Sequence, residues 1–405
     1  MPETMAGVSG NVPIRSVTAV VSAACNLSCR YCYQDRRPPG LMPWPVLRAA
    51  IDRLLASPAA DRSLQFTGGE PLLAFPLIAR AASYVDRACP RGREITFDVV
   101  TNGTLMRAAH IAFFAAREFS VQLSFDGVQA AQNLRGKGTF KRLDRLMDRL
   151  RRKEPRLVRR GLRVAVTITR EAIPWLGDSV ACLLEKGVCD IVLSPAMGPT
   201  IRWTAADDKA FDRQMTRIFD ASLSRYRRTG RVPLLLFRKE ADDPQGKPRQ
   251  RFLCSAAVGK KVTVDVDGQA YTCPMLAESF QTFPDTPLRQ RLIAMRLGDI
   301  RDRAFPDRLR GLPAAARRTG IFARSKTRHS SYGRCASCEF VPTCRACPMS
   351  VARDPEHTDL NRVPDYLCAF NRITLAHRAR FPRQPNPIDV LTRRASFASL
   401  LGPLG

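Results

Sequence analysis

The sequence predicts an α/β fold: a partial (β/α)6 barrel of the TIM type, followed by a cysteine-rich C-terminal domain. Short β-branched runs alternate with longer amphipathic stretches as far as about residue 228. This alternation is typical of parallel strands joined by right-handed helical crossovers, and six repeats are too few for a complete eight-fold barrel. The cysteine density then rises, because seven of the 13 cysteines lie between residues 254 and 368.

Six strand-like runs and six helical patterns make up the predicted barrel. The strands are expected at Ser16–Ser22, Ser63–Thr67, Glu94–Thr101, Val121–Phe125, Arg163–Thr169 and Ile191–Pro195. The helices are expected at 44–56, 75–88, 106–117, 141–153, 175–187 and 204–228. In such a barrel the reactive groups gather at the carboxyl ends of the strands, so the residues after each strand are the site candidates.

The chain is expected to divide into five segments. Its 405 residues suit one large domain and a smaller one, since single cores rarely grow beyond roughly 250–300 residues. A hairpin is predicted from Val262–Val264 and Ala270–Thr272, which flank the turn pair Asp267-Gly268. The predicted segments are 1–15 (N-terminal segment), 16–239 (barrel), 240–253 (linker), 254–380 (cysteine-rich domain) and 381–405 (tail).

The composition limits where the chain works and which metals suit it. No apolar run approaches the roughly 20 residues of a membrane span, and no secretory signal pattern is present, so we expect a cytoplasmic protein. Reducing cytosol keeps thiols free, and clustered cysteines there predict metal ligands rather than disulfides. The four histidines form no two-histidine metal spacing, which favours thiolate-bound zinc or iron–sulfur clusters.

The chain is strongly basic, with a formal net charge of +28. A field of this sign attracts polyanions, either nucleic acid or an acidic peptide. Arginines that only solubilise the surface are the alternative. Residues 289–328 hold twelve Lys/Arg against three Asp, Arg317 and Arg318 among them. This segment is therefore the predicted docking surface for an acidic peptide.

Three cysteines follow the first predicted strand in the spacing CxxxCxxC. They are Cys25, Cys29 and Cys32, with Tyr31 before the last. Three thiolates this close can hold three irons of a 4Fe–4S cube and leave the fourth iron open to a ligand. The open iron could chelate the amino and carboxylate groups of a methionine-like molecule. A structural zinc site completed by a distant cysteine is the alternative.

This loop resembles the signature of the radical S-adenosylmethionine (SAM) superfamily, and the similarity covers about residues 16–228. The ends of the next three strands carry segments that agree: Gly68-Gly69-Glu70-Pro71, Thr101-Asn102-Gly103 and Ser124-Phe125-Asp126-Gly127. The resemblance implies that the first segment holds the SAM amino group through its backbone and carboxylate. It further implies SAM-binding roles for Tyr31, Gly68, Gly69, Glu70, Ser124 (ribose) and Arg135 (carboxylate). Turn residues and a surface arginine are the alternative for Ser124 and Arg135.

The C-terminal cysteines resemble the SPASM extension of radical SAM enzymes that modify peptides and proteins. The resemblance implies two auxiliary 4Fe–4S clusters beside the SAM-binding one. One would be held by Cys335, Cys338, Cys344 and Cys368, and the other by Cys254, Cys273 and Cys347. Because seven thiolates cannot fully ligate two cubes, we expect the second to have an open iron or a non-cysteine ligand.

One departure from the SPASM pattern leaves the role of Cys347 open. Only Arg345 and Ala346 separate it from Cys344, where the family usually has three residues. A zinc finger is the alternative for Cys335–Cys347.

The resemblance implies a SAM-dependent enzyme with three [4Fe–4S] clusters that abstracts hydrogen from a residue of a ribosomally made peptide. Oxidative crosslinking is favoured, because auxiliary clusters can accept the second electron. The alternatives are a sulfatase-type maturase that forms formylglycine and an RNA-modifying enzyme, although no aromatic-interleaved basic motif is present. Expected partners are a precursor peptide or protein substrate of acidic character, an external electron donor such as flavodoxin or ferredoxin, and a separate leader-binding protein. Neither membrane nor nucleic acid is expected.

Overall fold

The computed structural model describes most of the predicted barrel and parts of the cysteine-rich region. The described residues are 13–34, 40–89, 94–196, 203–238, 255–257, 259–280, 295–319, 327–344, 346–347, 359 and 361–382, without the side chains of 255 and 317–319. The predicted linker 240–253, nearly all of the tail and Cys254 lie outside these residues. The segment boundaries proposed from the sequence therefore stay predictions.

The strands and helices alternate along the first half of the chain as expected. The strands are β1 (Ser16–Ser22), β2 (Arg62–Gly68), β3 (Ile95–Thr101), β4 (Ser120–Ser124), β5 (Leu162–Ile168), β6 (Ile191–Pro195), β7 (Lys261–Val264), β8 (Gln269–Tyr271), β9 (Gly298–Asp299), β10 (His329–Ser330) and β11 (Gly333–Arg334). The helices are α1 (Trp44–Leu55), α2 (Phe75–Ala88), α3 (Ala108–Ala116), α4 (Gln129–Arg135), α5 (Phe140–Lys153), α6 (Pro155–Arg160), α7 (Leu176–Glu185), α8 (Ala205–Thr229), α9 (Phe305–Thr319) and α10 (Asp365–Arg380).

Strands β1 to β9 form one large sheet, in which β1 to β6 are parallel neighbours in chain order. The sheet order is β6-β5-β4-β3-β2-β1-β7-β8-β9, with β10 and β11 in a separate pair. The order of β1 to β6 confirms the predicted α/β fold with its parallel partial barrel. All six carboxyl ends consequently meet at one edge, which we call the C-terminal edge.

The hairpin in the cysteine-rich region joins the barrel sheet, which the sequence did not indicate. Strands β7 and β8 pair antiparallel as expected, with Val264 opposite Ala270. The turn is centred on Val266 and Asp267 rather than on the predicted pair Asp267-Gly268, because the Gly268 amide donates to the Asp265 carbonyl at 3.0 Å. The unexpected contact is the parallel pairing of β7 with β1, in which Ser16 lies opposite Lys261. The second cysteine region is thereby anchored to the first strand.

Alternation along the strands gives the sheet two chemically different faces. Leu64 and Phe66 of β2 are buried on the side that carries the helices, while Gln65 between them is half-buried on the inner side. Strands β3 and β4 repeat this pattern with half-buried Asp98 and Gln122. The period of two is the ordinary consequence of pleated backbone. The inner face of the partial barrel is therefore polar.

The helix side of the sheet is organised around a cluster of phenylalanines. Phe119 is fully buried, and its ring stacks on Phe97 at a centroid distance of 4.9 Å and on Phe66 at 6.2 Å. The rings of Phe113 and Phe114 in α3 also pack against it. Aromatic pairs at these separations add to the hydrophobic stabilisation. Phe119 thus ties α3 to two central strands.

Replacing Phe119 by Ala is expected to lower the free energy of unfolding by about 3–5 kcal/mol, because the buried ring leaves a cavity among its neighbours. Denaturant unfolding of the two proteins measures the difference. Trp175→Ala is the control, since Trp175 is 43% exposed and should cost about 1 kcal/mol or less. Equal losses in the two variants would contradict the assignment of Phe119 to the core.

Candidate active site

The loop that carries Cys25, Cys29 and Cys32 lies at the C-terminal edge, directly after β1. Their sulfur groups are close enough to act on one another, since Cys32 and Cys25 both raise the pKa of Cys29. Burial is the larger cause and brings this pKa to about 11, against the lowering effect of Arg135. Sulfur is the donor that iron–sulfur clusters use. The donor set of this loop therefore fits an iron–sulfur cluster.

The Gly68-Gly69 pair packs against the protein's own backbone at the base of the cysteine loop. The Gly69 amide donates to the Ser22 carbonyl at 2.7 Å, and the Glu70 amide donates to the Ala24 carbonyl at 2.9 Å. A Cβ atom on Gly69 would lie 2.2 Å from the Ala24 oxygen, and one on Gly68 would lie 2.0 Å from the Ser22 oxygen. Only glycine has room at these two positions, because any Cβ atom would overlap the neighbouring backbone.

Glu70 connects the ends of β2 and β3 from a fully buried position. Its carboxylate accepts hydrogen bonds from the Leu72 amide at 3.0 Å, the Thr101 hydroxyl at 2.6 Å and the Asn102 amide at 2.8 Å. Burial raises the pKa of this carboxyl, and the three donors oppose that rise. Three donors inside the protein already hold the carboxylate, and its contact with the SAM amino group stays a prediction.

Asn102 supports the first cysteine of the loop from the end of β3. Its Nδ2 lies 3.8 Å from the Cys25 sulfur and 3.0 Å from Oδ1 of Asn26. The Asn26 amide in turn donates to the Thr104 hydroxyl at 2.8 Å. Amide donors near a cluster thiolate orient it and influence the reduction potential of the cluster. The Thr-Asn-Gly segment therefore braces the cysteine loop.

A buried ion pair between Asp126 and Arg135 lies behind the same loop. The Arg135 guanidinium donates Nε to Oδ2 and Nη2 to Oδ1 of Asp126, both at 3.0 Å. The Thr167 amide also donates to Oδ1 at 3.0 Å, and the Tyr31 hydroxyl lies 3.4 Å from Oδ2. Burial alone would lower the pKa of Arg135, but Asp126 and Tyr31 raise it overall. Arg135 is thus a permanent cation.

Asp126 is a residue of this site to which the sequence analysis gave no role. Its only sequence signal is its place in the Ser-Phe-Asp-Gly segment that ends β4. Half-buried Ser124 lies at the same strand end, and burial raises the pKa of Tyr31 nearby. Because the Arg135 fork is turned to Asp126, its expected bond to the SAM carboxylate stays a prediction, as does the ribose role of Ser124.

The four cysteines expected to hold one auxiliary cluster are linked by electrostatic interactions within the second cysteine group. Cys335 and Cys338 each raise the pKa of Cys344, and Cys335 and Cys344 each raise that of Cys368. In both cases burial is the larger cause. The Ser330 hydroxyl also donates to the Cys368 sulfur at 3.1 Å. The donor set fits an iron–sulfur cluster, while its ligation stays a prediction.

The other auxiliary set is only partly described. Cys273 and Cys347 are half-buried and pack against the main core. Buried Arg328 lies within electrostatic reach of Cys347. Cys254, the third expected ligand, lies outside the described residues.

The second cysteine group is joined to the C-terminal edge of the barrel. The Tyr332 hydroxyl donates to Asp208 Oδ2 at 2.6 Å, and the Trp203 indole donates to the other oxygen of Asp208. Asp208 lies in the first turn of α8, directly after β6 and its connecting loop. Trp203 also packs with Cys335 and Cys368 in a small hydrophobic cluster. Both described cysteine groups therefore belong to one edge of the fold.

The remaining candidates lie elsewhere or are only partly described. Cys89, which belongs to neither cysteine group, accepts a hydrogen bond from Arg62 at 3.7 Å near the start of β2, away from the C-terminal edge. Within the basic segment 289–328, residues 289–294 and 320–326 and the Arg317 and Arg318 side chains lie outside the described part. In the part of the chain described, no three His, Cys, Asp or Glu side chains are grouped for a single metal ion, and no helix has the length and apolar character of a membrane span.

Comparison with known proteins agrees with this geometry. A family model described as the radical SAM superfamily matches residues 19–159, which include the first cysteine loop. Residues 19–159 of the chain therefore contain a radical SAM domain. A serine-type anaerobic sulfatase-maturating enzyme of Klebsiella aerogenes is 29% identical over 281 residues, which cover 65% of this chain and 67% of that protein.

Solved structures share the fold of this chain. The native anSMEcpe structure with bound AdoMet and Kp18Cys peptide has a TM-score of 0.69 at 19% identity, covering 90% of this chain and 96% of the other. Streptococcus suis SuiB bound to its precursor peptide SuiA has a TM-score of 0.55 at 15% identity, covering 88% and 76%. At these identities the similarity shows the fold.

Gly69→Ala is expected to displace the cysteine loop, because its Cβ would overlap the Ala24 carbonyl. We expect fewer irons per chain after anaerobic reconstitution and slower SAM cleavage. Gly311→Ala is the matched control, since a Cβ there meets nothing within 4 Å. Iron content equal to that of the control variant would show that the backbone approach at Gly69 is dispensable.

Asp126→Asn is expected to lower the free energy of unfolding by about 3–5 kcal/mol, because it leaves the buried Arg135 without a countercharge. Chemical denaturation measures the loss. Asp61→Asn removes a carboxylate from an exposed pair with Arg15, whose side chains are 69% and 51% exposed, and should cost about 0–1 kcal/mol. If both variants lose equally little, the buried pair does not stabilise this edge.

Proposed function

We propose that this chain is a radical SAM peptide maturase that abstracts hydrogen from a residue of a ribosomally made peptide and forms an oxidative crosslink. The observation that supports it is the arrangement of two cysteine groups at one edge of a sheet whose inner face is polar. When bound, a 4Fe–4S cluster on Cys25, Cys29 and Cys32 would supply the electron that splits SAM.

The residues around the first cysteine loop would hold and orient these groups. The Gly68-Gly69 backbone would keep the loop against β2 and Asn102 would direct an amide at Cys25, while Glu70 would join the ends of β2 and β3. Tyr31 and Ser124 would contact SAM from the same edge, and Arg135 would present a permanent positive charge to its carboxylate.

The second cysteine group supports the oxidative outcome. A new bond between two side chains removes two hydrogen atoms from the peptide, and abstraction by the SAM-derived radical accounts for one of them. The second leaves as a proton and an electron, which requires an electron acceptor near the substrate. Clusters on Cys335, Cys338, Cys344 and Cys368, and on Cys254, Cys273 and Cys347, would supply acceptors near the inner face.

The inner face provides polar contacts for a peptide rather than an apolar pocket. Asp98 lies there with Gln65 and Ser120 as its neighbours on the adjoining strands. Burial raises the pKa of Asp98 overall, although the cations Arg163 of β5 and Lys261 of β7 oppose that rise. The inner face of the partial barrel thus forms a polar trough between its strands. Such a trough suits an extended peptide.

A sulfatase-type maturase is the second candidate, favoured by the relatives that carry that name. It would oxidise one serine or cysteine to formylglycine instead of joining two side chains. Both activities need SAM, a radical and an electron acceptor, so the same residues at the C-terminal edge serve either reaction. The product distinguishes them.

Co-expression with the acidic short open reading frame expected beside the gene, followed by mass spectrometry of the peptide, tests the proposal. We expect a mass loss of two hydrogen atoms and missing fragments between the joined residues. A product that reacts with a hydrazide carries an aldehyde and would assign formylglycine formation instead. The Cys25→Ala/Cys29→Ala/Cys32→Ala variant should leave the peptide unchanged and lose about four of about twelve irons, and Cys182→Ala should behave like wild type.

A further inference from the structure

The densest basic surface among the described residues follows α4 along α5 and α6. Residues 137–160 contain eleven Lys/Arg and three Asp/Glu, and all eleven cationic side chains are exposed. Two of the three acids do not offset this charge locally, because Lys186, directly after α7, binds Asp144 at 2.7 Å and Asp148 at 3.1 Å. The surface therefore presents an extended positive field.

One end of this surface lies against the first cysteine loop. The Arg30 amide donates to the Leu134 carbonyl at 3.3 Å, and the Leu27 side chain lies 3.4 Å from where Gly136 would carry a Cβ. The chain then continues through exposed Lys137 into the first turn of α5. Exposed Cys32 belongs to the same cysteine loop. We call Arg30, Lys137, Lys141, Arg142 and Arg145 the loop-proximal patch.

The patch lies on the outer side of the sheet, away from the polar trough. Leu143 and Leu146 of α5 both approach Gly103 beside Leu123, whose side chain belongs to the helix-covered face of β4. The cations of α5 are on the opposite side of the helix and face solvent. A peptide whose carbon atoms react must enter the trough on the inner face, where the proposed chemistry takes place. A partner that delivers only an electron can bind outside.

We propose that the loop-proximal patch is the docking surface for an acidic electron-carrier protein that reduces the cluster on the first cysteine loop. The proposal rests on the proposed function, because it assumes that this cluster cleaves SAM. One electron leaves the reduced carrier and enters the oxidised cluster, without transfer of a proton or a group. Electrostatic steering toward such a patch accelerates association and weakens with salt.

The opposite end of the same basic surface provides a matched control. Lys141 and Lys153 are separated by about 18 Å along α5, which exceeds the screening length of about 8 Å at physiological salt. Helix α6, with exposed Arg156, Arg159 and Arg160, follows at that far end. Reversal of three charges at either end changes the net charge equally, so the comparison tests the effect of the distance from the cysteine loop.

The test compares Lys137→Glu/Lys141→Glu/Arg145→Glu with Arg156→Glu/Arg159→Glu/Arg160→Glu. The dissociation constant for a plant-type ferredoxin, used as an acidic probe, is measured by titration. The rate of 5′-deoxyadenosine formation is then measured with the reduced ferredoxin and, separately, with dithionite. We expect the ratio of the ferredoxin rate to the dithionite rate to fall about tenfold or more in the near variant, with a weaker salt dependence. The far variant should stay within about threefold of wild type.

The ratio keeps the result interpretable, because any loss of cluster lowers both rates together. A wild-type ratio in the near variant overturns the proposal, as does an equal fall in the far variant. If the near variant keeps the ratio but loses affinity for poly(U) RNA or for the precursor peptide, the patch binds that polyanion instead. If wild type forms no 5′-deoxyadenosine with dithionite, the proposed function fails first and the docking proposal fails with it.

Discussion

The buried Asp126 carboxylate is the constraint on which the geometry of the C-terminal edge depends. It receives two hydrogen bonds from Arg135 of α4 and one from the backbone of Thr167 at the end of β5, and the Tyr31 hydroxyl lies next to it. A buried carboxylate is tolerated only when its countercharge and donors are all present. Satisfying this one group therefore holds two strand ends, a helix and the cysteine loop in a single arrangement.

Close backbone contacts between the strand ends also fix the position of the cysteine loop. The end of β2 approaches the residues after β1 so closely that Gly68 and Gly69 leave no room for a side chain. Glu70 then links this turn to the end of β3. Three adjacent strand ends, β1 to β3, are thus bonded to one another without any ligand, and the cysteine loop is presented from a prearranged support rather than from a free turn.

Two connections hold the second cysteine region to the barrel. Strand β7 extends the sheet beside β1, and Asp208 at the start of α8 accepts hydrogen bonds from Trp203 and Tyr332. Helix α10 adds to the second connection, because its Phe370 stacks on Phe211 of α8 at 6.0 Å. The polar and the cationic side chains lie on different sides of the sheet. The trough carries a few polar side chains, and the dense cationic surface lies on the outer helices.

Local pattern was enough to predict the strands and long helices of the barrel. β1, β6 and α2 begin and end where the sequence predicts, since each is an apolar run or amphipathic stretch with clear boundaries. The short helices α4 and α6 were missed, because six or seven residues carry too little periodicity to identify a helix. The hairpin was expected, but its parallel pairing with β1 joins residues about 245 positions apart, which no local pattern specifies.

The sequence by itself determined the chemical inventory and its order: three cysteines after the first strand, glycines after the second and a cysteine-rich region at the end. Spacing along the chain is sufficient for this, because each motif is completed within a few residues. Only the tertiary structure decided that Asp126 pairs with Arg135, that the glycines make room for backbone and that the basic surface of α5 adjoins the cysteine loop. These relations arise from packing between elements distant in the chain, where burial and close contact, rather than sequence proximity, select the partners.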